Sequence, residues 1–429
     1  MSPPDKDTHH AIGAIWRIEG AKIIASVARM VRDLGLAEEL AQDAWLAALE
    51  SWPSAGVPDN PGAWLMTTAK HRALDHLRRA KMLIEKHQEL GHDLEAQEAL
   101  IVPDFVDALD AARSDEIGDD MLRLIFTACH PVLSTEGRVA LTLKLLGGLT
   151  TVEIARAFLA PEATIAQRIV RAKRTLTEAR VPFELPHGDT LAPRLASVLE
   201  VIYLIFNEGY TATAGDDWMR PSLLDEAIRL GRILVGLVPH ESEVQGLVAL
   251  MELQAARAGA RVDTGGKPVL LLEQDRSRWD RLLIRRGLVA LEHAARTSDA
   301  LGPYALQASI AACHARARTA DVTDWPRIVA IYDALAEITP SPIVELNRAV
   351  AVSMAFGPAA ALEIVDRLVA NPQLKNYQWL PSVRGDLLEK LHRYDEARAE
   401  FERAAEMAQN SQERELLLAR ARNTVNASK

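Results

Sequence analysis

Apolar positions recur at intervals of three and four along almost the whole chain, which predicts an all-α protein. In AEELAQDAWLAALESWP, residues 37–53, Leu40, Ala44, Trp45 and Leu49 share one helix face. Glu38, Glu39, Gln42 and Asp43 lie towards the other, an acidic face that either meets a basic partner helix or is solvated. A loop rich in Pro, Gly, Asp and Asn follows, PSAGVPDNPGAWL. The pattern then predicts a long amphipathic helix, AWLMTTAKHRALDHLRRAKM, with Trp64, Leu65, Ala69, Ala73 and Leu77 on its buried side. The clearest strand signal is ARVDTGGKPVLLLE, where Gly265-Gly266 between apolar runs predicts one small β-hairpin. Its GGK lacks the spaced upstream glycine and following Ser/Thr of a phosphate loop.

A second pattern lies in LTTVEIARAFLAPEATIAQRIVRAKRTL, residues 149–176. Thr150 and Glu153 have capping-box spacing, and Val152, Ile154, Ala155 and Phe158 then outline a helix of about two turns. Pro161 suits the first position of a second helix, where its missing N–H costs nothing. Ile165, Ile169 and Ala172 form the inward stripe, and Gln167, Arg168, Arg171, Lys173 and Arg174 lie off it. Two short helices, a tight turn and a basic second helix make a helix-turn-helix, whose second helix usually enters the DNA major groove. The competing reading is a helical hairpin with a solvated basic face.

Composition sharpens this picture through its patterning. The formal net charge is −10. Yet Lys70–Lys81 holds five Lys/Arg against one Asp, and Arg168–Arg180 five against one Glu. Between them, Glu85–Asp120 carries twelve acidic residues against Lys86 and Arg113. Two basic islands flanking an acidic bridge point to a nucleic-acid partner more than the overall charge does. No apolar run has transmembrane length and no secretory signal is visible, so a cytoplasmic protein without membrane contact is expected. Cys129 and Cys313 lie too far apart in sequence to suggest a disulfide framework. Cys129-His130 has no further Cys or His at ligand spacing, so it reads as a buried structural cysteine. No metal or other cofactor is expected.

Beyond VPFELPHG, residues 181–188, the pattern predicts a second helical body. WPRIVAIYDALAEITP, GPAAALEIVDRLVANP and HRYDEARAEFERAAEMA can be superimposed with Tyr332, Val365 and Phe401 in register, at spacings of 33 and 36 residues. That period suits about three tetratricopeptide-like helix pairs in residues 299–419, with a concave surface for a protein or small-molecule ligand, or a packing scaffold. Upstream, Asn207, Glu208 and Tyr210 form one polar cluster; Glu273, Asp275, Arg276, Arg278, Trp279 and Asp280 form another. A structural ion-pair network accounts for these better than a catalytic carboxylate pair, because no nucleophile–His–acid order or metal spacing accompanies them. No catalytic residue is assigned.

The motifs AEELAQDAWLAALESW…NPGAWLMTTAKHRALDHLRR and DDMLRLIFTACHPVLSTEGRVALTLKLLGGLTTVEIARAFLAPEATIAQRIVRAKRTL resemble regions 2 and 4 of extracytoplasmic-function (ECF) sigma factors. The resemblance covers about residues 10–180, and the long helical remainder is similar to the subgroup carrying a tetratricopeptide-like extension. It implies a region 2 bundle at 10–82, a flexible acidic linker at 83–118, a region 4 helix-turn-helix at 119–180, a helical subdomain at 187–295 and repeats at 296–425. It also implies a non-enzymatic function: recruiting RNA polymerase core, through its clamp and flap, to promoter DNA.

By that resemblance Glu38, Glu39, Gln42, Asp43 and Leu46 dock on the clamp. The loop at about Ser51–Gly62 captures a −10 base, with Asn60 as its donor-acceptor and Trp64 beside it, and Lys70, Arg72, Arg78 and Arg79 hold phosphates. Asn60 is also a plain turn residue before Pro61. Gln167, Arg168 and Arg171 would read the −35 element, with Lys173 and Arg174 on phosphates. Ala163 and Ala166 stand where many family members have glycine and lysine, which alters the details of that readout. The linker would thread the polymerase cleft. A one-component helix-turn-helix regulator with a repeat sensor domain is the alternative, and the region 2 pattern argues against it. A third reading, an enzyme tethered to DNA, would need turnover by the C-terminal half.

Overall fold

Three helices account for the first fifth of the chain: α1 (Pro3–Val31), α2 (Leu34–Ala55) and α3 (Pro61–Glu89). They belong to a computed structural model that describes residues 3–89, 117–158, 160–212, 218–263 and 268–427. The acidic linker expected at 83–118 lies mostly outside the described residues.

Leu65, Ala69, Ala73 and Leu77 of α3 are buried at four-residue spacing, as the stripe requires. They meet a face of α2 built from Ala37, Ala41, Ala44 and Ala48, small enough to let the helices close, with Ile23, Val27 and Met30 of α1 completing the core. Asp33 caps α2 through the Leu36 amide at 2.7 Å. The helix runs on through Pro53 to Ala55, two residues beyond the break expected there, and Gly56 ends it at φ +85°. Ser51 is therefore helical, and the loop before α3 shortens to residues 56–60.

Among the described residues four helices follow: α4 (Ile117–Ala128), α5 (Thr135–Leu145), α6 (Thr151–Ala157) and α7 (Glu162–Glu178). Ile154 of α6 and Ile165, Ile169, Ala172 and Leu176 of α7 are buried, against an apolar α5. Next, α8 (Leu191–Tyr210) is one continuous helix, but the chain divides into two compact units within it, Met1–Ile202 and Tyr203–Lys429. Its N-terminal half belongs to the first unit. There Arg194 donates to the Phe126 carbonyl (2.7 Å), and Ser197 donates to the Cys129 carbonyl (2.7 Å) and accepts from Arg138 (2.5 Å). The prolines and glycine at 181–188 therefore mark a loop, while the division falls later.

In the second unit, α9 (Pro221–Leu237), α10 (Ser242–Ala255), α11 (Arg281–Thr297) and α12 (Pro303–Arg316) come first. A Cβ on Gly209 would lie 2.4 Å from the Leu224 amide, so α8 and α9 approach backbone to backbone there. Three antiparallel pairs follow: α13 (Trp325–Ile338) with α14 (Pro342–Phe356), α15 (Pro358–Leu368) with α16 (Trp379–Lys390), and α17 (Tyr394–Met407) with α18 (Ser411–Ala427). Tyr332, Val365 and Phe401 each sit on the first helix of a pair, and one apolar core runs through all six helices. The expected hairpin reduces, among the described residues, to one antiparallel bridge between Val262 and Pro268.

Candidate promoter and polymerase interface

The helix-turn-helix is built from local chemistry outward. The capping box is complete: Thr150 accepts from the Glu153 amide (3.2 Å), and the Glu153 carboxylate accepts from the Thr150 amide (2.8 Å) and hydroxyl (2.9 Å). Pro161 stands one position earlier than its sequence preference suggested, as the N-cap of α7 at φ −58° and ψ 140°. On α7, Gln167, Val170, Arg171 and Arg174 are exposed, and Arg168 is half-buried. Val170, 64% exposed, was not among the sequence candidates. Its signal was available: it is a large apolar residue out of phase with the Ile165–Ile169–Ala172–Leu176 stripe. An exposed aliphatic between arginines suits the methyl group of thymine. Arg174 is engaged by Glu178 at 2.6 Å.

The sharpest departure concerns Glu38 and Lys173. Sequence periodicity put Glu38 on an open acidic face and Lys173 on a DNA-facing one. Instead Glu38 is 4% exposed and its carboxylate contacts the ammonium groups of Lys173 and Lys144 (3.8 Å for the latter). Gln42 also donates to Glu38 at 2.8 Å. Two further ion pairs join the same parts of the chain: Arg17 of α1 with Glu153 at 2.5 Å, and Arg29 of α1 with Asp120 at 3.4 Å. Asp120 is 1% exposed and also binds Arg123 (2.8 Å). The helix-turn-helix thus packs on the first two helices, and part of each candidate surface is turned inward. Helical period alone cannot register such a contact, because it depends on residues 135 positions apart.

Of the remaining clamp candidates, Glu39 and Leu46 are exposed, Gln42 is half-buried, and Asp43 pairs with Arg72 at 3.3 Å. On α3, Arg78 and Arg79 are exposed, with Arg78 also 3.3 Å from Asp75, and Lys70 is half-buried. Asn60 is exposed and accepts from the Ala63 amide (3.1 Å), capping α3. Trp64 stands edge-on to buried Trp52, ring centres 5.3 Å apart. Asn60 and Trp64 lie at the start of α3, and Arg78 and Arg79 lie about four to five turns further along the same helix, so the structure does not bring the four together. Cys129 is buried with its thiol 3.3 Å from the Thr142 hydroxyl; burial pushes its pKa up to about 11. It is a neutral packing residue.

In the polar clusters of the second unit, several members are held by ion pairs and backbone bonds. Glu208 pairs with Arg220, Asp275 caps the Ser277 amide, and Asp280 caps those of Leu282 and Leu283. Buried Arg276 donates to the carbonyls of His314 and Ala317.

An N-terminal helical bundle is thus followed by a capped helix-turn-helix. Residues 19–82 match the model of Sigma-70 region 2, residues 123–176 that of Sigma-70 region 4, and residues 194–295 a family of unknown function, DUF6596. An uncharacterized protein of Rhizobium meliloti (strain 1021) is 44% identical over 391 residues, covering 91% of this chain and 90% of that protein. The ECF RNA polymerase sigma factor SigK of Mycobacterium sp. (strain KMS) is 31% identical over 163 residues, 37% of this chain and 77% of that protein. The probable ECF RNA polymerase sigma factor SigI of Mycobacterium tuberculosis (strain ATCC 25618 / H37Rv) is 29% identical over 176 residues, 40% of this chain and 57% of that protein. The chain belongs to the ECF family of RNA polymerase sigma factors, with a long helical C-terminal extension. Sigma factors are generally not enzymes. Among the described residues, no helix is long and apolar enough to cross a membrane.

Proposed function

We propose that this chain binds RNA polymerase core through α2 and directs it to promoters read by α7 and by the start of α3, acting in the cytoplasm. What carries the reading is one chain holding both a region 2 bundle and a capped helix-turn-helix with Gln167, Val170 and Arg171 exposed. Glu39, Gln42, Asp43 and Leu46 supply the clamp contact. Asn60 and Trp64 handle the −10 element, and Lys70, Arg72, Arg78 and Arg79 the adjacent phosphates. Gln167, Arg168, Val170 and Arg171 read the −35 element, and Arg174 takes a phosphate after leaving Glu178.

The Glu38 pair with Lys173 adds a condition. While it holds, Glu38 cannot meet the clamp and Lys173 cannot meet a phosphate. Only separation of these helices frees the two side chains for polymerase and DNA, at the cost of the internal ion pair. The C-terminal extension is the regulatory and interaction part. A ligand there acts only by binding the paired and separated states with different affinity.

Run-off transcription from a randomised promoter library, with purified bacterial core with and without the chain, tests the proposal. Chain-dependent transcripts should enrich two sequence blocks at fixed separation. Core that starts no new transcripts when the chain is added would overturn it.

A further inference from the structure

The second unit encloses a cavity of about 230 Å³ that none of the motifs above uses. Its walls come from three places: the end of α8, the segment after α10, and α18 with the start of α16. Val269, Leu271, Leu416 and Leu417 line it with apolar surface, and Tyr210 and Trp379 add aromatic rings. A volume below the usual range of about 300–1,000 Å³ for drug-sized ligands limits the occupant to a small molecule.

The charge on these walls is unbalanced in a specific way. Three arginines line the cavity: Arg257, Arg261 and Arg420. Arg420 is neutralised by Asp386 (2.8 Å) and Glu389, and rests on the Phe401 ring. Arg257 and Arg261 have no carboxylate within ion-pair distance among the described residues. Arg261 is only 8% exposed, lies 3.6 Å above the Tyr210 ring, and donates through Nη2 to the Thr211 hydroxyl (2.9 Å). Arg257 donates through Nη2 to the Tyr210 hydroxyl (2.6 Å) and to Gln254 (3.0 Å). The Nε atoms of both are buried without a partner, and among the described residues neither Nη1 donates to any group.

Burying a guanidinium is costly, and among the described residues aromatic faces, neutral acceptors and the more distant Glu413 offset that cost for Arg257 and Arg261 only in part. The surroundings carry the same sign of field. Burial would raise the Tyr210 pKa, yet Arg257 and Arg261 outweigh it and pull the phenol below its ordinary value. On the cavity wall, Glu413 is bound by Gln378; burial raises its pKa, with Gln378 and Arg261 pulling the other way. One carboxylate already facing the cavity disfavours a dianion, so a phosphate monoester fits less well than a monoanion. Planar guanidinium donors match the two oxygens of a carboxylate.

We propose that this cavity binds a small organic monocarboxylate with an apolar or aromatic body, its carboxylate between Arg257 and Arg261 and its body against Val269, Leu416 and Trp379. The site is independent of promoter recognition, so its test needs neither polymerase nor DNA.

The full-length chain is titrated calorimetrically with phenylacetate, 3-phenylpropionate, 4-phenylbutyrate and 5-phenylvalerate, each beside the primary alcohol of the same carbon skeleton. At least one acid should bind saturably below 1 mM and at least tenfold tighter than its alcohol. Leu416→Trp and, independently, Ser382→Tyr fill the cavity without touching its arginines, and each should abolish binding with the helical circular dichroism unchanged. Arg261→Gln should bring acid and alcohol to within about threefold of each other. Equal binding of acid and alcohol, survival of acid binding in a folded cavity-filling variant, or saturable binding by none of the four acids would each overturn the assignment.

Discussion

The carboxylate of Glu38 on α2 is held by the ammonium of Lys173 on α7, although 135 residues separate them. The acid is almost wholly buried and the lysine partly so. Removing one partner of such a pair leaves a desolvated charge, whereas removing both leaves only the partly exposed Lys144 that also faces Glu38. In a thermodynamic cycle of Glu38→Gln, Lys173→Met and the double variant, a coupling of about 1–3 kcal/mol is expected, below the fully buried range because Lys173 retains water. Denaturant unfolding measures it. Additive single effects would show that the contact holds nothing together.

Recognition by α7 predicts a graded response. Arg171→Ala should cost about 1–3 kcal/mol in binding to the selected promoter and relax specificity at one position. Val170→Ser should discriminate against thymine at a neighbouring position while leaving the salt dependence unchanged. Arg174→Ala should weaken binding to all sequences alike and lower the salt slope by about one. Gel-shift titrations against single-base promoter variants at two salt concentrations separate the three. Identical specificity profiles for Arg171→Ala and Arg174→Ala would contradict the division of roles.

The C-terminal extension can be removed cleanly only at the right place. A chain ending at Arg180 loses the bonds of Arg194 to Phe126 and of Ser197 to Cys129 and Arg138, all within the first unit. A chain ending at Phe206 keeps them. The shorter fragment should melt several degrees lower, and only the longer one can report whether the extension restrains transcription. Equal melting temperatures would mean that the start of α8 adds nothing to the first unit.

Stability should fall in mild acid through His314. This residue is buried edge-on to Trp325, ring centres 5.1 Å apart, and its Nδ1 has no partner. Burial first, then Arg257 and Arg276, lowers its pKa from 6.5 to about 3. The unfolded chain binds a proton below pH 6.5 and the folded chain does not until about pH 3. The contribution is therefore complete above pH 6.5 and lost as the pH falls towards 3. Between pH 7 and 5 this one group should remove about 2 kcal/mol. In His314→Phe that part of the acid slope should vanish; an unchanged slope would assign the acid sensitivity elsewhere.

Packing within the paired helices hinges on Gly385 of α16, where a Cβ would come within 2.8 Å of the Phe401 ring. Phe401 is fully buried and also carries Arg420 at 4.4 Å from its ring centre, which limits its room to shift. Gly385→Ala should destabilise the second unit by about 1–3 kcal/mol despite the better helix propensity of alanine. A neutral or stabilising effect in thermal unfolding would show that α16 and α17 can separate at little cost.

What the sequence determined by itself was local. The Thr150–Glu153 cap and the stripes at Leu65–Ala69–Ala73–Leu77 and Ile165–Ile169–Ala172 all follow from helical period and nearest-neighbour chemistry. Those govern any helix whatever it packs against. Charge patterning likewise disclosed the basic islands, because net charge over a dozen residues needs no fold to be read. The tertiary structure decided which polar face stays open. Glu38 and Lys173 carry the same sequence signature as Glu39 and Arg171, but contact across 135 residues turns the first two inward and leaves the others exposed. The cavity between Arg257 and Arg261 was equally invisible, since its walls come from segments more than 150 residues apart. Period fixes the direction of a side chain about its own helix axis, and only packing determines what stands in that direction.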